Sequence, residues 1–228
     1  MTTVRRAFWA GLVGLALVLA APAQEKAEEI ASGFRAHITE EPRFPPEDVR
    51  NRQGRTQDLV TEYGLSPVIA VFSKTIPADA NHPLVAVLHA QDELAEKYKL
   101  RQPDATADRF KTSRLGSFLV FLSLENEYRK DETRDARKRE IAQFVAAAKP
   151  TRTTIGLAEK TETPDGLTQA LVPKQVQDMG VGAEDEIVIV FYNRLTVVKR
   201  WKFKAGTPPT DADLAAVVDE VTKIFKKK

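Results

Sequence analysis

Two short runs of the chain, Val68-Ile69-Ala70-Val71-Phe72 and Phe118-Leu119-Val120-Phe121-Leu122, are apolar at every position. A strand with one wet face alternates apolar with polar side chains, so an unbroken run of this length reads as a strand buried on both faces. Such a strand needs an apolar cover above and below, which helices provide. After the first run, Leu84, Val87, Leu88, Leu94 and Ala95 recur at helical spacing, from a cap at Asn81 to about Lys99. A densely charged helix follows the second run, with Ile141, Phe144 and Val145 as its apolar stripe and Pro150 as its stop.

The pattern continues to the end of the chain. Residues 153–158 form a third strand, and the loop-rich stretch after it, with Pro164, Gly166 and Pro173, holds a helical turn around 167–171. Residues 187–192 and 196–203 are two strands of a hairpin joined by Asn193-Arg194. Pro208, Pro209 and Thr210 then open an amphipathic helix through Leu214, Val217, Val218, Val221, Ile224 and Phe225. Ahead of the first buried strand, residues 25–34 read as a short helix ending in a linker marked by Pro42, Pro45 and Pro46. His37 is expected to be exposed in that linker. Residues 48–56 read as a small hairpin about Gln53-Gly54. Parallel strands need crossover helices and a hairpin is antiparallel, so the expectation is an α/β three-layer sandwich with a mixed, helix-covered sheet.

The first residues have a different purpose. Arg5 and Arg6 form a basic region, residues 7–20 an apolar one, and Ala21-Pro22-Ala23 a small-x-small site, the three parts of a secretory signal with cleavage before Gln24. The apolar part is shorter than the roughly 20 residues a spanning helix needs, so no membrane association is expected after cleavage. Arg5-Arg6 followed by Ala7-Phe8 also resembles a twin-arginine signal. The expected division is a signal peptide at 1–23, an N-terminal helix and Pro-rich linker at 24–46, and one domain at 47–228, exported to the periplasm or the exterior.

Charge narrows the partners. The chain has 34 Lys and Arg against 32 Asp and Glu, and losing Arg5 and Arg6 makes the two equal. A nucleic-acid protein needs a basic face to release phosphate counterions, so nucleic acid is not an expected partner. The closing Lys226-Lys227-Lys228 reads as a solvated helix end that favours cations. The chain contains no cysteine, which also removes a lipobox anchor. A core of this size does not require disulfide staples.

The element order resembles that of thioredoxin-like domains, and the leading hairpin about Gln53-Gly54-Arg55 is similar to the extension of redoxins and peroxiredoxins. Local phrases such as Pro67-Val68-Ile69-Ala70-Val71-Phe72 and Leu94-Ala95-Glu96-Lys97-Tyr98 support it. The segment Asp58-Leu59-Val60-Thr61-Glu62-Tyr63-Gly64 is similar to exported bacterial thioredoxin-like proteins with a Cys-x-x-Cys just before Tyr-Gly. That resemblance places the lost cysteines at Asp58 and Thr61; ordinary thioredoxins and redoxins instead place the reactive cysteine in the stretch 73–79. Neither place has a sulfur, and a thiolate is the nucleophile of both dithiol exchange and peroxide reduction, so those activities are excluded. The family's loop proline before the hairpin is replaced by Gly182-Ala183-Glu184-Asp185. What the resemblance implies is a scaffold, with the groove in which family members lay a partner's extended chain.

Other chemistry is sparse. His89, Asp92 and Glu93, at i, i+3 and i+4, share a helix face and could ligate a metal, with His82 as a fourth group; a solvated face explains the same spacing. Ser66, Ser73, Ser113, Ser117 and Ser123 sit in no Gly-x-Ser-x-Gly elbow, and Gly180-Val181-Gly182 lacks a third glycine and a following helix. Trp201 alternates with Lys199, Arg200, Lys202 and Lys204, an edge that could dock a protein partner, though an ordinary half-buried strand alternates the same way. The reading is a non-enzymatic exported binding or scaffold protein with no cofactor. The alternatives are a metal-dependent or metal-binding protein using His89, Asp92 and Glu93, and a degenerate subunit of an exported assembly.

Overall fold

The computed structural model describes residues 28–30, 35–41, 52–98, 115–122, 131–158 and 174–226. The expected signal at 1–23, the three linker prolines, the turn at 167–171 and the first arm of the hairpin at 48–51 lie outside these residues.

The strands among them are β1 (Arg35–Glu40), β2 (Thr56–Asp58), β3 (Val68–Ser73), β4 (Gly116–Phe121), β5 (Thr154–Ala158), β6 (Asp185–Asn193) and β7 (Thr196–Lys204). They join into one mixed sheet in the order β2-β1-β5-β4-β3-β6-β7. β3 is parallel to β4 and β4 to β5, whereas β6 runs antiparallel to β3 and β7 antiparallel to β6. The two all-apolar runs thus occupy neighbouring central strands, buried at every position.

Alternation along each strand divides the side chains between two cores. Ile69 and Val71 of β3, Leu119 and Phe121 of β4, and Ile187 and Ile189 of β6 face one side. That side is covered by helices α2 (Pro83–Lys97), α3 (Asp131–Ala148) and α5 (Asp211–Lys226), through residues such as Leu88, Ile141 and Val217. Phe121 meets Phe144 of α3 edge-on at 5.4 Å. Val68, Ala70, Phe72, Phe118 and Val190 face the other side, where α1 (Leu59–Tyr63) and α4 (Lys174–Asp178) supply a smaller cover with Leu59, Val60 and Val176. Each continuous run is apolar because each of its residues enters one core or the other.

Four expectations are corrected. The segment around residue 29 is not helical: Glu29 bridges Thr196 at the edge of the sheet, Val197 N–H donates to Glu28 at 2.9 Å, and Ile30 N–H donates to Leu195 at 2.7 Å. Burial of Ile30 in the second core rewards this extended path. The supposed linker holds β1, in which His37 is partly buried and paired with Thr56 and Leu157. The Gln53-Gly54 turn does head a hairpin, yet its first arm is β1, with Gly54 N–H donating to Ile38 at 2.8 Å. The 193–196 hairpin turns one residue later than expected. Asn193 stays in the ladder opposite Thr196, and Arg194 and Leu195 take the positive φ values of a two-residue hairpin turn.

Candidate functional site

In open α/β sheets the strand carboxyl ends are where loops leave space for ligands. The carboxyl end of β3 continues into residues 74–82 and then α2. Ser73, fully buried, donates from Oγ to the carbonyl of Thr75 at 2.8 Å and turns the chain. Lys74 N–H donates to Glu186 at 3.1 Å, and its ammonium donates to the carbonyl of Ala183, tying this loop to the one preceding β6. Asp79 accepts from Asn81 N–H at 2.8 Å and closes a turn that presents His82.

The N-cap of α2 is His82, not Asn81: its Nδ1 accepts from Leu84 N–H at 3.2 Å, with Pro83 in the first turn, where no backbone donor is needed. The capping role occupies Nδ1 of the side chain considered as a fourth metal ligand.

Across from the cap, the turn at residues 182–185 closes on Asp185, whose Oδ2 accepts from Gly182 N–H at 2.7 Å. No proline is needed to hold that turn. The ladder between β6 and β7 shifts register here, from Asp185 opposite Lys204 to Ile187 opposite Phe203, leaving Glu186 as the extra residue of a bulge. Bulges re-aim side chains beside functional loops. Glu186, Ile187, His82 and Pro83 line a cleft of about 240 Å³, completed by Phe203, Lys204 and the turn at Gly206 and Pro208. Oε1 of Glu186 is itself buried and has no hydrogen-bond partner among the described residues.

Asp58 and Thr61 lie elsewhere. Asp58 is the N-cap of α1, accepting from Val60 N–H at 3.0 Å and Thr61 N–H at 3.1 Å through Oδ1, and from Thr61 Oγ at 2.7 Å through Oδ2. The helix they start ends at Tyr63, whose ring covers Gly116, the first residue of β4, opposite Val68, the first residue of β3. Asp58 also closes β2 opposite Arg35 of β1, at the edge of the sheet away from β6 and β7, whereas the loop after β3 leaves the carboxyl end of a central strand. The two places suggested for cysteine are separate, one beside the edge strand β2 and the other after the central strand β3, and the cleft accompanies the second.

The helix-face triad separates by burial. His89 is exposed, with Nε2 2.9 Å from the carbonyl of Ala148, and Glu93 is exposed. Asp92 is buried and accepts from Arg152 N–H at 3.1 Å, Thr153 Oγ at 2.6 Å, Thr151 Oγ at 3.2 Å and Thr151 N–H. Thr153 continues to Ser117 at 2.8 Å. Asp92 pins the loop from α3 into β5, and no cluster of three or more metal-ligating side chains occurs among the described residues. Trp201 lies on the edge strand β7, and its side chain is buried in the first core with Phe203, Val217 and Val221. Sequence reasoning missed Glu186, because a bulge is set by pairing between strands and leaves no local motif.

Among the described residues, no helix is long and apolar enough to cross a membrane. No family model and no curated protein matches the chain. Among solved structures, AhpC of Mycobacterium bovis aligns with a TM-score of 0.51 at 10% identity, covering 89% of this chain and 93% of its own. The exposed lipoprotein thioredoxin Etrx1 of Streptococcus pneumoniae aligns at 0.44 and 13% identity, covering 84% and 99%. Copper-bound ScoI of Arabidopsis thaliana aligns at 0.45 and 13%, covering 85% and 99%. Sheet order, helix placement and the alignment with AhpC together make this chain a thioredoxin-like fold that contains no cysteine.

Proposed function

We propose that the chain is a non-enzymatic binding protein that acts outside the cytoplasm, with the carboxyl end of β3 as its working surface. One observation carries the reading: the loop after β3 is fully built, capped by His82 and tied to the β6 loop through Lys74, yet contains no nucleophilic sulfur. No hydroxyl or carboxylate replaces a thiolate in disulfide exchange. The secretory pattern of the first 23 residues supports the location, and the cleft beside Glu186 supplies a place for a partner. The metal alternative gains no support from Asp92, whose lone pairs are taken up by donors of the 151–153 loop.

The reading is tested in two ways. Purified protein should reduce insulin disulfides and consume peroxide no faster than buffer; a rate that survives purification and disappears on a single substitution in this chain sinks it. Affinity capture from the native host, followed by mass spectrometry, should return a protein partner in stoichiometric amount.

A further inference from the structure

The sheet ends at β7, whose outer edge is covered for only part of its length among the described residues. Glu29 bridges Thr196 there, with Val197 N–H donating to the carbonyl of Glu28 at 2.9 Å and Ile30 N–H to that of Leu195 at 2.7 Å. From Val198 to Lys204 no strand among the described residues pairs with that edge. Backbone donors and acceptors left along a sheet edge are a template for another extended chain.

Charge along the edge selects the kind of chain. Residues 194–204 hold five cations and no acid. Lys199 is exposed, with its ammonium 5.3 Å from the ring centre of Trp201 and no acidic partner among the described residues. Lys202, 3.7 Å from Asp185, and Lys204, 3.1 Å from Glu184, keep 46% and 65% of their side-chain surface exposed, so each can take a second carboxylate. Lys199, opposite Phe191, stands on the first-core face of the sheet, and Lys202, opposite Val188, on the second. A second copy of β7 would set cation against cation across the new pair, which disfavours it. The segment that this edge does accept is acidic: Glu28 and Glu29 lie against it in extended form, and the Glu28 carboxylate pairs with Arg200. We propose that the outer edge of β7 from Val198 to Lys204 takes up an acidic, extended segment of a protein partner as an added strand, its carboxylates meeting Lys199, Lys202 and Lys204. Phe203 and Lys204 also line the cleft, which places this edge beside it. The proposal rests on the binding-protein reading and adds the mode of contact and the charge of the partner.

The full chain, labelled with nitrogen-15, is titrated at low ionic strength with the blocked peptide acetyl-Thr-Glu-Glu-Val-Glu-Glu-Thr-amide. Two control peptides carry glutamine in place of each glutamate, or methyl groups on alternate backbone nitrogens. Saturable shifts centred on residues 198–204 are expected with the first peptide, and much weaker binding with both controls, since one lacks the charge and the other the strand pairing. Lys199→Gln combined with Lys202→Gln should weaken binding about tenfold, as two exposed charge contacts are lost. Arg139→Gln, an exposed cation on α3, should leave it unchanged. Absence of shifts, equal binding of either control peptide, or unchanged affinity in the double variant overturns the proposal. So does a dimer, seen by sedimentation, in which amides 198–204 are protected without peptide, because a second copy then holds the edge. None of these results touches the non-enzymatic reading, which falls only to a catalytic rate above buffer.

Discussion

Tyr192 shows how a single residue can be fully buried and still poorly served. Its side chain is 0% exposed in the second core, and its hydroxyl has no hydrogen-bond partner among the described residues. Burial, followed by the nearby Tyr63 and Asp58, pushes its pKa well above the usual phenol range, so it stays protonated. An orphaned buried hydroxyl costs about 1–3 kcal/mol, and removing it leaves the packing intact. Tyr192→Phe is therefore expected to raise the midpoint of thermal unfolding; a fall would show that the hydroxyl does have a donor or acceptor. Asp92 is the opposite case. Its carboxylate satisfies two backbone amides and two threonine hydroxyls, and Asp92→Ala removes the acceptor from all four, leaving Thr153 only its contact with Ser117. The expected loss is about 3 kcal/mol in urea unfolding, and a variant as stable as the parent would remove the anchoring role. The helical spacing of His89, Asp92 and Glu93 was legible in the sequence, but their fates were not. Which of three residues on one helix face is buried depends on the 151–153 loop, more than fifty residues away in the chain.

At the scale of elements, the segment from Glu28 to Ile30 is an extended strap laid on the edge of β7. Ile30 anchors it in the core, and Glu28 pairs with Arg200, whose Nε donates to the carbonyl of Met179 at 2.6 Å. Arg200 also crosses Gly180, where an added Cβ would fall 2.7 Å from Nε and φ is +83°, so only glycine fits under the guanidinium. The hydrogen bond from Arg200, reinforced by its charge and that of Lys202, holds the Glu28 carboxyl below its ordinary value of 4.5. A depressed folded-state value means that the stabilisation is complete above about pH 4.5 and is lost as pH falls through the lowered value. Exchange of the Ile30 amide should therefore accelerate, relative to the core, on acidification below that point. Glu28→Gln should abolish the change, and pH-independent protection in the parent would refute it. Sequence pattern alone made this segment a helix, because alternation over three residues is too short to compete with helical propensity. The C-terminal helix was legible in full: Thr210 and Asp213 exchange hydrogen bonds in a capping arrangement at 2.9 and 3.3 Å, a purely local device.

For the whole molecule, β3 is the most enclosed strand. It is paired with β4 on one side and β6 on the other, and each of its apolar residues is buried in one of two cores. Amides of residues 69–72 should exchange slowest, at a rate set by global unfolding, while those of β2 and the strap exchange through local opening. Equal protection of β2 and β3 would argue against this hierarchy. The succession from β3 through α2, β4, α3 and β5, the closing β6-β7 hairpin and α5, the mixed sheet and the absence of thiol chemistry were determined by the sequence itself, because apolar periodicity reports burial locally and a missing sulfur is missing in any fold. Tertiary structure alone decided that β1 completes the sheet, that Trp201 is core, that Asp58 closes β2 and caps α1, and that Glu186 is the extra residue of a bulge. Each of these depends on register and pairing between segments far apart in the chain, and a side chain carries no mark of the strand it will meet.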